Sequence, residues 1–151
     1  MKKFFGVLVI FVVTLVLSNG FASSVSAKYV DASGTYKTLK YGDASVTYTY
    51  QSGTFKRAPL TVTTYFNVND YGAKISKVSQ KSSAKWPYTV KEKGTKSLYL
   101  KGKNEKLFTP VAYGYFTTNS TKYSLETTLQ VNKIDKKKKT VTFYVINRTD
   151  K

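Results

Sequence analysis

Residues 122–146 have the sequence KYSLETTLQVNKIDKKKKTVTFYVI, which contains two β-strand patterns separated by a polar turn. In the first half, large or apolar side chains recur at every second position from Tyr123 to Val131, interrupted only by Thr127. This period of two is typical of a strand with one buried face. Residues 141–146 are apolar or aromatic on both faces except at Thr142, as expected of a central strand. The lysine-rich segment between them, residues 134–140, is predicted to be a hairpin tip.

The same alternation continues through most of the chain after residue 28, without the 3.6-residue period of a helix. Glycine, asparagine or aspartate, which favour chain reversal, occur at residues 41–43, 69–72, 92–94 and 102–104. We therefore predict eight or nine strands, near residues 34–40, 44–51, 59–68, 73–80, 87–91, 96–101, 107–118, 122–134 and 140–147. The predicted fold class is all-β, as a single small antiparallel sandwich or barrel.

The first 27 residues have the three parts of a secretory signal peptide. Lys2 and Lys3 precede an apolar run over residues 4–17, and small residues at Val25 and Ala27 mark a cleavage site. A transmembrane helix needs about 20 apolar residues, whereas this run has 14. We predict a signal peptide at residues 1–27, a basic all-β domain at residues 28–151, and a secreted protein.

Composition indicates how such a domain is stabilised and which kind of organism exports it. The chain has no cysteine, although small secreted domains often depend on disulfides, so packing alone must stabilise it. Removal of Lys2 and Lys3 would lower the formal net charge from +17 to +15. Export without cysteine, combined with this excess of lysine, is typical of secreted proteins of Gram-positive bacteria.

Few residues are suited to catalysis. The chain has no histidine, which excludes Ser-His-Asp and Cys-His triads and the usual zinc sites. A glycosidase would need Glu126 and another acid about 5–9.5 Å apart, but we expect the eight acidic side chains to be solvated. Residues 82–85 match an S-x-x-K pattern without its partner motifs. We predict no enzymatic activity, no cofactor and no metal site.

Two lysine clusters are the candidate anion-binding sites. The first surrounds the predicted hairpin tip and consists of Lys133, Lys136, Lys137, Lys138 and Lys139. The second is predicted to surround two successive turns and consists of Lys91, Lys93, Lys96, Lys101, Lys103 and Lys106. Such lysines can serve only to protect sheet edges and keep the protein soluble. A charge of this size exceeds what solubility requires, however, and opposes compaction, so we favour an anionic partner.

The expected partner is a cell-wall phosphate polymer or an anionic membrane surface. All but two of the basic residues are lysine, which suits diffuse attraction, whereas arginine suits bidentate recognition. Nucleic acid is less favoured for that reason, although exposed tyrosines on a small barrel would stack on single strands. Two alternatives stay open: a secreted cationic antibacterial or toxin-like protein acting on membranes, and an exported inhibitor or immunity factor with a protein partner.

Aromatic residues offer a weaker signal. Tyr113, Tyr115 and Phe116 lie in one short run around Gly114, and residues 86–88 are Trp-Pro-Tyr. Exposed tyrosines would form a carbohydrate or partner surface, but we expect these side chains in the core, because a cysteine-free β domain needs its aromatics inside. Gly114 is predicted to mark a bulge or bend.

Overall fold

The computed structural model describes residues 29–51, 55, 59–83, 89–101, 108–118 and 121–151. These residues form eight β-strands and no α-helix, and therefore include no helix long and apolar enough to cross a membrane. The strands are β1 (Tyr29–Lys40), β2 (Gly42–Tyr50), β3 (Leu60–Asn69), β4 (Gly72–Ser82), β5 (Val90–Lys101), β6 (Phe108–Thr118), β7 (Thr121–Asp135) and β8 (Thr140–Asp150). The predicted signal peptide lies outside the described residues and stays a prediction.

The eight strands form two antiparallel sheets that pack face to face as a sandwich. The larger sheet has the order β1-β8-β7-β6-β5, and the smaller has the order β2-β3-β4. The all-β prediction is confirmed, and of the two predicted architectures the protein adopts the sandwich. The number of strands agrees with the lower of the two predicted numbers.

Strand β8 is central, as its two-sided apolar pattern predicts. It pairs with β1 on one side and with β7 on the other. Its inward-facing Val141, Phe143 and Val145 are fully buried. The β7–β8 hairpin closes over residues 136–139, which confirms the predicted hairpin tip.

Apolar side chains from both sheets meet in two adjoining core clusters. In one cluster, Phe66 of β3 packs edge-on against Phe143 of β8, with ring centroids 6.0 Å apart. In the other, Leu60 and Val62 of the small sheet pack with Leu125 of the large sheet. Full burial of a side chain of this size contributes about 1.5–3 kcal/mol. These contacts stabilise a fold that has no cysteine.

A buried tyrosine adds a polar link between the sheets. The hydroxyl of Tyr48 on β2 donates to Oδ2 of Asp31 on β1 at 2.8 Å. Since that hydroxyl has one proton, Thr149 on β8 donates to the Tyr48 oxygen, at 2.7 Å. Burial is the main reason that the pKa of Tyr48 is raised. An ordinary phenol is already neutral at physiological pH, and the raised pKa extends the pH range over which Tyr48 keeps its proton and donates to Asp31.

Three predicted boundaries differ from the structure. Residues 92–94 form no turn: β5 runs through them, and a bulge between Glu92 and Thr95 contains Gly94 at a φ of 101°. Strand β1 begins at Tyr29 rather than near residue 34. Gly42 follows a change of sheet rather than a hairpin, because β1 and β2 belong to different sheets. In each case the turn-forming residues are present, but tertiary pairing decides how the chain uses them.

Gly114 marks a close approach between the sheets rather than a bulge in its own strand. It pairs with Thr95 of β5 and Leu125 of β7, and the bulge lies in β5. A Cβ at this position would overlap Cγ2 of Val62, which belongs to the small sheet. Glycine thus allows β6 to approach β3 closely in the core.

Gly114→Ala is expected to lower the free energy of unfolding by about 1–3 kcal/mol, because the added methyl overpacks the core. Urea denaturation measures the change. Val62→Ala removes the overlapping methyl group, so the double variant should lose less stability than the sum of the single variants. Additive losses, or an unchanged stability of Gly114→Ala, would contradict the close approach.

Candidate anion-binding surface

Strands β4 and β5 are edge strands of different sheets that lie side by side. Side chains of β5 bond to backbone groups along β4. The bonds join Glu92 Oε1 to the Ser82 amide at 2.9 Å, Thr95 Oγ1 to the Val78 carbonyl at 3.4 Å, and the Tyr99 hydroxyl to the Ile75 amide at 2.8 Å. Because the β5 positions rise as the β4 positions fall, the strands run antiparallel. We call this junction the β4–β5 seam.

Exposed lysines follow the seam on both strands. We call them the seam lysines: Lys74, Lys77 and Lys81 on β4, and Lys91, Lys93 and Lys96 on β5. The lysines of β4 were absent from the predicted clusters. The sequence shows that these lysines recur along one predicted strand, but it does not show that β4 lies next to β5. The structure therefore extends the second predicted cluster by one strand.

The second predicted cluster differs in form from its prediction. Lys91, Lys93 and Lys96 lie on a continuous strand instead of around two turns. Lys101 ends β5, while Lys103 and Lys106 lie outside the described residues. Across residues 72–107 the chain has ten lysines but only two acidic residues, Glu92 and Glu105. Of these, Glu92 uses Oε1 to accept the Ser82 amide.

The first predicted cluster is exposed at the β7–β8 hairpin as expected. We call its members the tip lysines: Lys133, Lys136, Lys137, Lys138 and Lys139. Asp135 Oδ1 accepts the amide of Lys138 at 2.9 Å and closes the turn. Lys139 has a φ of 51°, a left-handed conformation that glycine or asparagine adopts more readily. The tip thus carries lysine even where the backbone favours another residue.

The tip lysines and the Lys74 end of the seam lie at the same end of the sandwich. The amide of Tyr41 donates to the Lys139 carbonyl at 2.9 Å, which fixes the tip against the crossing from β1 to β2. A Cβ on Gly72 would overlap Cγ2 of Val131, so the β3–β4 turn packs against β7 close to the tip. That turn leads directly into Lys74, the first of the seam lysines. The seam therefore begins where the tip lies.

A shallow groove of about 180 Å³ lies beside the tip. Its lining combines Lys133 and Lys138 with hydroxyl groups, of which Thr38 and Thr142 are 2.9 Å apart. Ammonium and hydroxyl groups are donors that suit phosphate oxygens. Asp135 also lines the groove, so the charge around it is mixed.

The outer face of the large sheet brings together two acids. Glu126 of β7 pairs with Arg148 of β8, and Asp150 pairs with Ser124 in the next outward-facing row. Burial raises the pKa of Asp150 and Glu126 raises it further, whereas Ser124 and Arg148 lower it. Glu126 and Asp150 are half-buried, as are Asp70 and Asp135, so these four acids are less exposed than predicted.

The aromatic run on β6 divides between the two faces of the sheet. Phe116 is buried in the core, as predicted. Tyr113 and Tyr115 point to the outer face, half-buried, with nearly parallel rings whose centroids are 6.1 Å apart. Burial and then Glu126 raise the pKa of Tyr115. The core prediction is thus wrong for both tyrosines, and residues 86–88 lie outside the described residues.

No family model, curated protein or solved structure matches this chain. Within the described part of the chain, no three acidic, histidine or cysteine side chains are grouped to hold a metal ion.

Replacing Lys136, Lys137, Lys138 and Lys139 together by glutamine is expected to change the free energy of unfolding by no more than about 0.5 kcal/mol. The reason is that exposed turn side chains bury little surface, and the Asp135 bond uses only the Lys138 backbone. Thermal and urea denaturation measure the effect. A collapse in stability would show that the tip lysines are structural.

Asp150→Asn is expected to stabilise the protein at pH 7 by about 0.5 kcal/mol, a small effect because solvent screens a part-exposed group. The folded-state pKa lies above the unfolded value, so ionisation of Asp150 destabilises the fold as pH rises above about 4. At pH 3 both states are protonated, and the variant and parent should be equally stable. Urea denaturation at the two pH values tests this, and a variant less stable at pH 7 would contradict it.

Proposed function

We propose that the protein is secreted and binds a polyanionic surface, either a cell-wall phosphate polymer or an anionic membrane, without catalysing a reaction. The observation that carries the proposal is the β4–β5 seam, where two neighbouring strands each carry three exposed lysines. The tip lysines at the same end of the sandwich extend the basic surface. Together the tip and the seam offer an anion one end and one edge of the sandwich.

The dimensions of the seam suit a polymer with repeated charges. At about 3.3 Å per residue, the β4 segment from Lys74 to Lys81 spans about 23 Å. Its lysines recur every three or four residues, so one ligand chain would contact several of them. Lysine side chains are flexible point charges, which favours attraction over a fixed geometry. Such binding weakens with salt, since charges separated by more than about 8 Å are screened at physiological ionic strength.

The experiment is sedimentation of residues 28–151 with Gram-positive cell walls, intact or stripped of phosphate polymer, and with anionic or neutral vesicles. Residues 29–151 contain the eight described strands and both core clusters, so we expect the protein to fold without its predicted signal peptide. Binding should need the phosphate polymer or the anionic lipid, and it should fade as salt rises.

Three variants, each lacking two charges, locate the surface. The seam variant is Lys81→Gln with Lys96→Gln, and the tip variant is Lys137→Gln with Lys138→Gln. Both should weaken binding about tenfold or more, because a basic residue near an anionic surface contributes about 1 kcal/mol. The control is Lys37→Gln with Lys151→Gln, two exposed lysines outside both clusters, and it should bind almost as the parent does.

Three results would contradict the proposed surface or the proposed function. Equal losses in all three variants would show that net charge, rather than this surface, attracts the ligand. Absence of binding at low salt would show that the lysines serve solubility. Release of vesicle contents without wall binding would instead favour a membrane-damaging protein.

A further inference from the structure

An open pocket of about 420 Å³ lies where the seam meets the β3–β4 turn. It is lined by Asn69, Tyr71, Ala73, Lys74 and Tyr99. Its volume lies within the range of roughly 300–1,000 Å³ that is typical of small-ligand sites. Because Lys74 is also a seam lysine, the pocket opens directly onto the basic surface.

Tyr99 is bonded through its side chain, and Tyr71 is bonded through its backbone. Tyr99 accepts the Ile75 amide at 2.8 Å, so its hydroxyl is engaged at the seam and its ring forms the pocket wall. Tyr71 lies in the two-residue turn, where its amide donates to Asn69 Oδ1 at 2.9 Å. Gly72 follows with a φ of 112°, which a residue with a side chain rarely adopts. The Tyr99 wall and the backbone of the turn at Tyr71 are therefore in place before any ligand enters.

Its chemistry combines aromatic surface with polar groups at the rim. Tyr71 is 70% exposed and Tyr99 is 42% exposed, while the neighbouring Ala73 is buried. A pyranose ring has a face of C–H groups that packs on aromatic rings, and a rim of hydroxyls that bonds to amides and ammonium groups. Lys74 adds one positive charge at the wall. Inorganic phosphate alone would leave the aromatic surface unused.

We propose that this pocket binds one ring of an anionic sugar, a pyranose carrying a carboxylate or a phosphate group. The ring would pack against Tyr71 and Tyr99, and its acidic group would pair with Lys74. The inference rests on the proposed function, since the seam lysines would bind the rest of an anionic glycan that continues from the pocket. The pocket then supplies the selectivity for sugar that a row of lysines lacks.

The position of the tyrosines favours a sugar over single-stranded nucleic acid. Stacking along a nucleic acid strand needs successive aromatic side chains along one groove. The other large exposed tyrosines of the described residues, Tyr36 and Tyr65, lie on β1 and on the outer face of β3. Neither lines the pocket. One ring-binding site beside a row of charges instead fits a polymer with a sugar at intervals.

Four small probes distinguish recognition of the sugar ring from attraction to the acidic group. They are glucuronic acid, glucose 6-phosphate, glucose and inorganic phosphate. The first two share a ring and differ in their acidic group, which distinguishes the two sources of charge. Each is titrated into residues 28–151 while amide NMR shifts are followed, with a short oligothymidine as a fifth probe. At least one acidic sugar should bind saturably and shift residues 69–74, more tightly than glucose by about tenfold or more, whereas phosphate should leave these residues unshifted.

Two pairs of variants test the named side chains. Tyr71→Ala and Lys74→Gln should each weaken binding of the acidic sugar by about tenfold. The controls are Tyr65→Ala and Lys37→Gln, an exposed tyrosine and an exposed lysine that lie outside the pocket and outside both lysine clusters. They should change the affinity less than about twofold. All four residues are exposed, so the variants are expected to fold.

Each outcome decides the inference. Equal binding of phosphate and glucose 6-phosphate, equal losses in pocket and control variants, or tighter binding of oligothymidine at residues 69–74 would overturn it. Failure of both acidic sugars to bind at millimolar concentration would overturn it as well, even with salt-sensitive wall binding intact. Conversely, sugar binding at the pocket without any binding to walls or vesicles would overturn the proposed function alone.

Discussion

The two sheets of the sandwich are unequal, and a five-stranded sheet cannot be covered completely by three strands. The outer strands of the large sheet, β1 and β5, therefore extend beyond the small sheet. On β1 the consequence is exposure: residues 31–38 are exposed throughout, and Lys37 lies on the inward side, opposite Phe143. A charged residue at that position discourages pairing with another chain. On β5 the uncovered edge lies beside β4, and the side chains of β5 bond to the β4 backbone to form the seam.

At the seam, side chains take the place that a backbone ladder would have in a closed barrel. Thr95 and Tyr99 bond to β4 carbonyl and amide groups, and Glu92 accepts the Ser82 amide. The exposed edge of β4 thus has hydrogen-bond partners without a further strand. The same geometry turns the lysines of both strands toward solvent and leaves a pocket between Tyr71 and Tyr99. The candidate surface follows from how the fold closes this edge.

The alternation of side chains is enough to predict the strands, the hairpin tip and the central position of β8. It fails where large residues occupy both faces: at Tyr113, Tyr115 and Phe116 the pattern does not tell inward from outward. Gly94 has turn chemistry that serves equally well in a bulge, and only the pairing of β5 with β6 decides between them. The meeting of Glu126 with Asp150, and of β4 with β5, depends on strand order. Local sequence patterns contain no information about strand order.

Charge and stability are coupled at the seam. Ammonium groups on neighbouring strands repel one another, and this repulsion opposes the close approach of β4 and β5. Glu92 is the acidic residue within the seam, and its Oε1 is bonded to the Ser82 amide. A polyanion lying along both strands would reduce the repulsion and would bind the folded protein better than the unfolded chain. Binding of such a ligand would therefore stabilise the seam, so the proposed function predicts that the lysines that destabilise this edge in the free protein become favourable when an anionic polymer is bound.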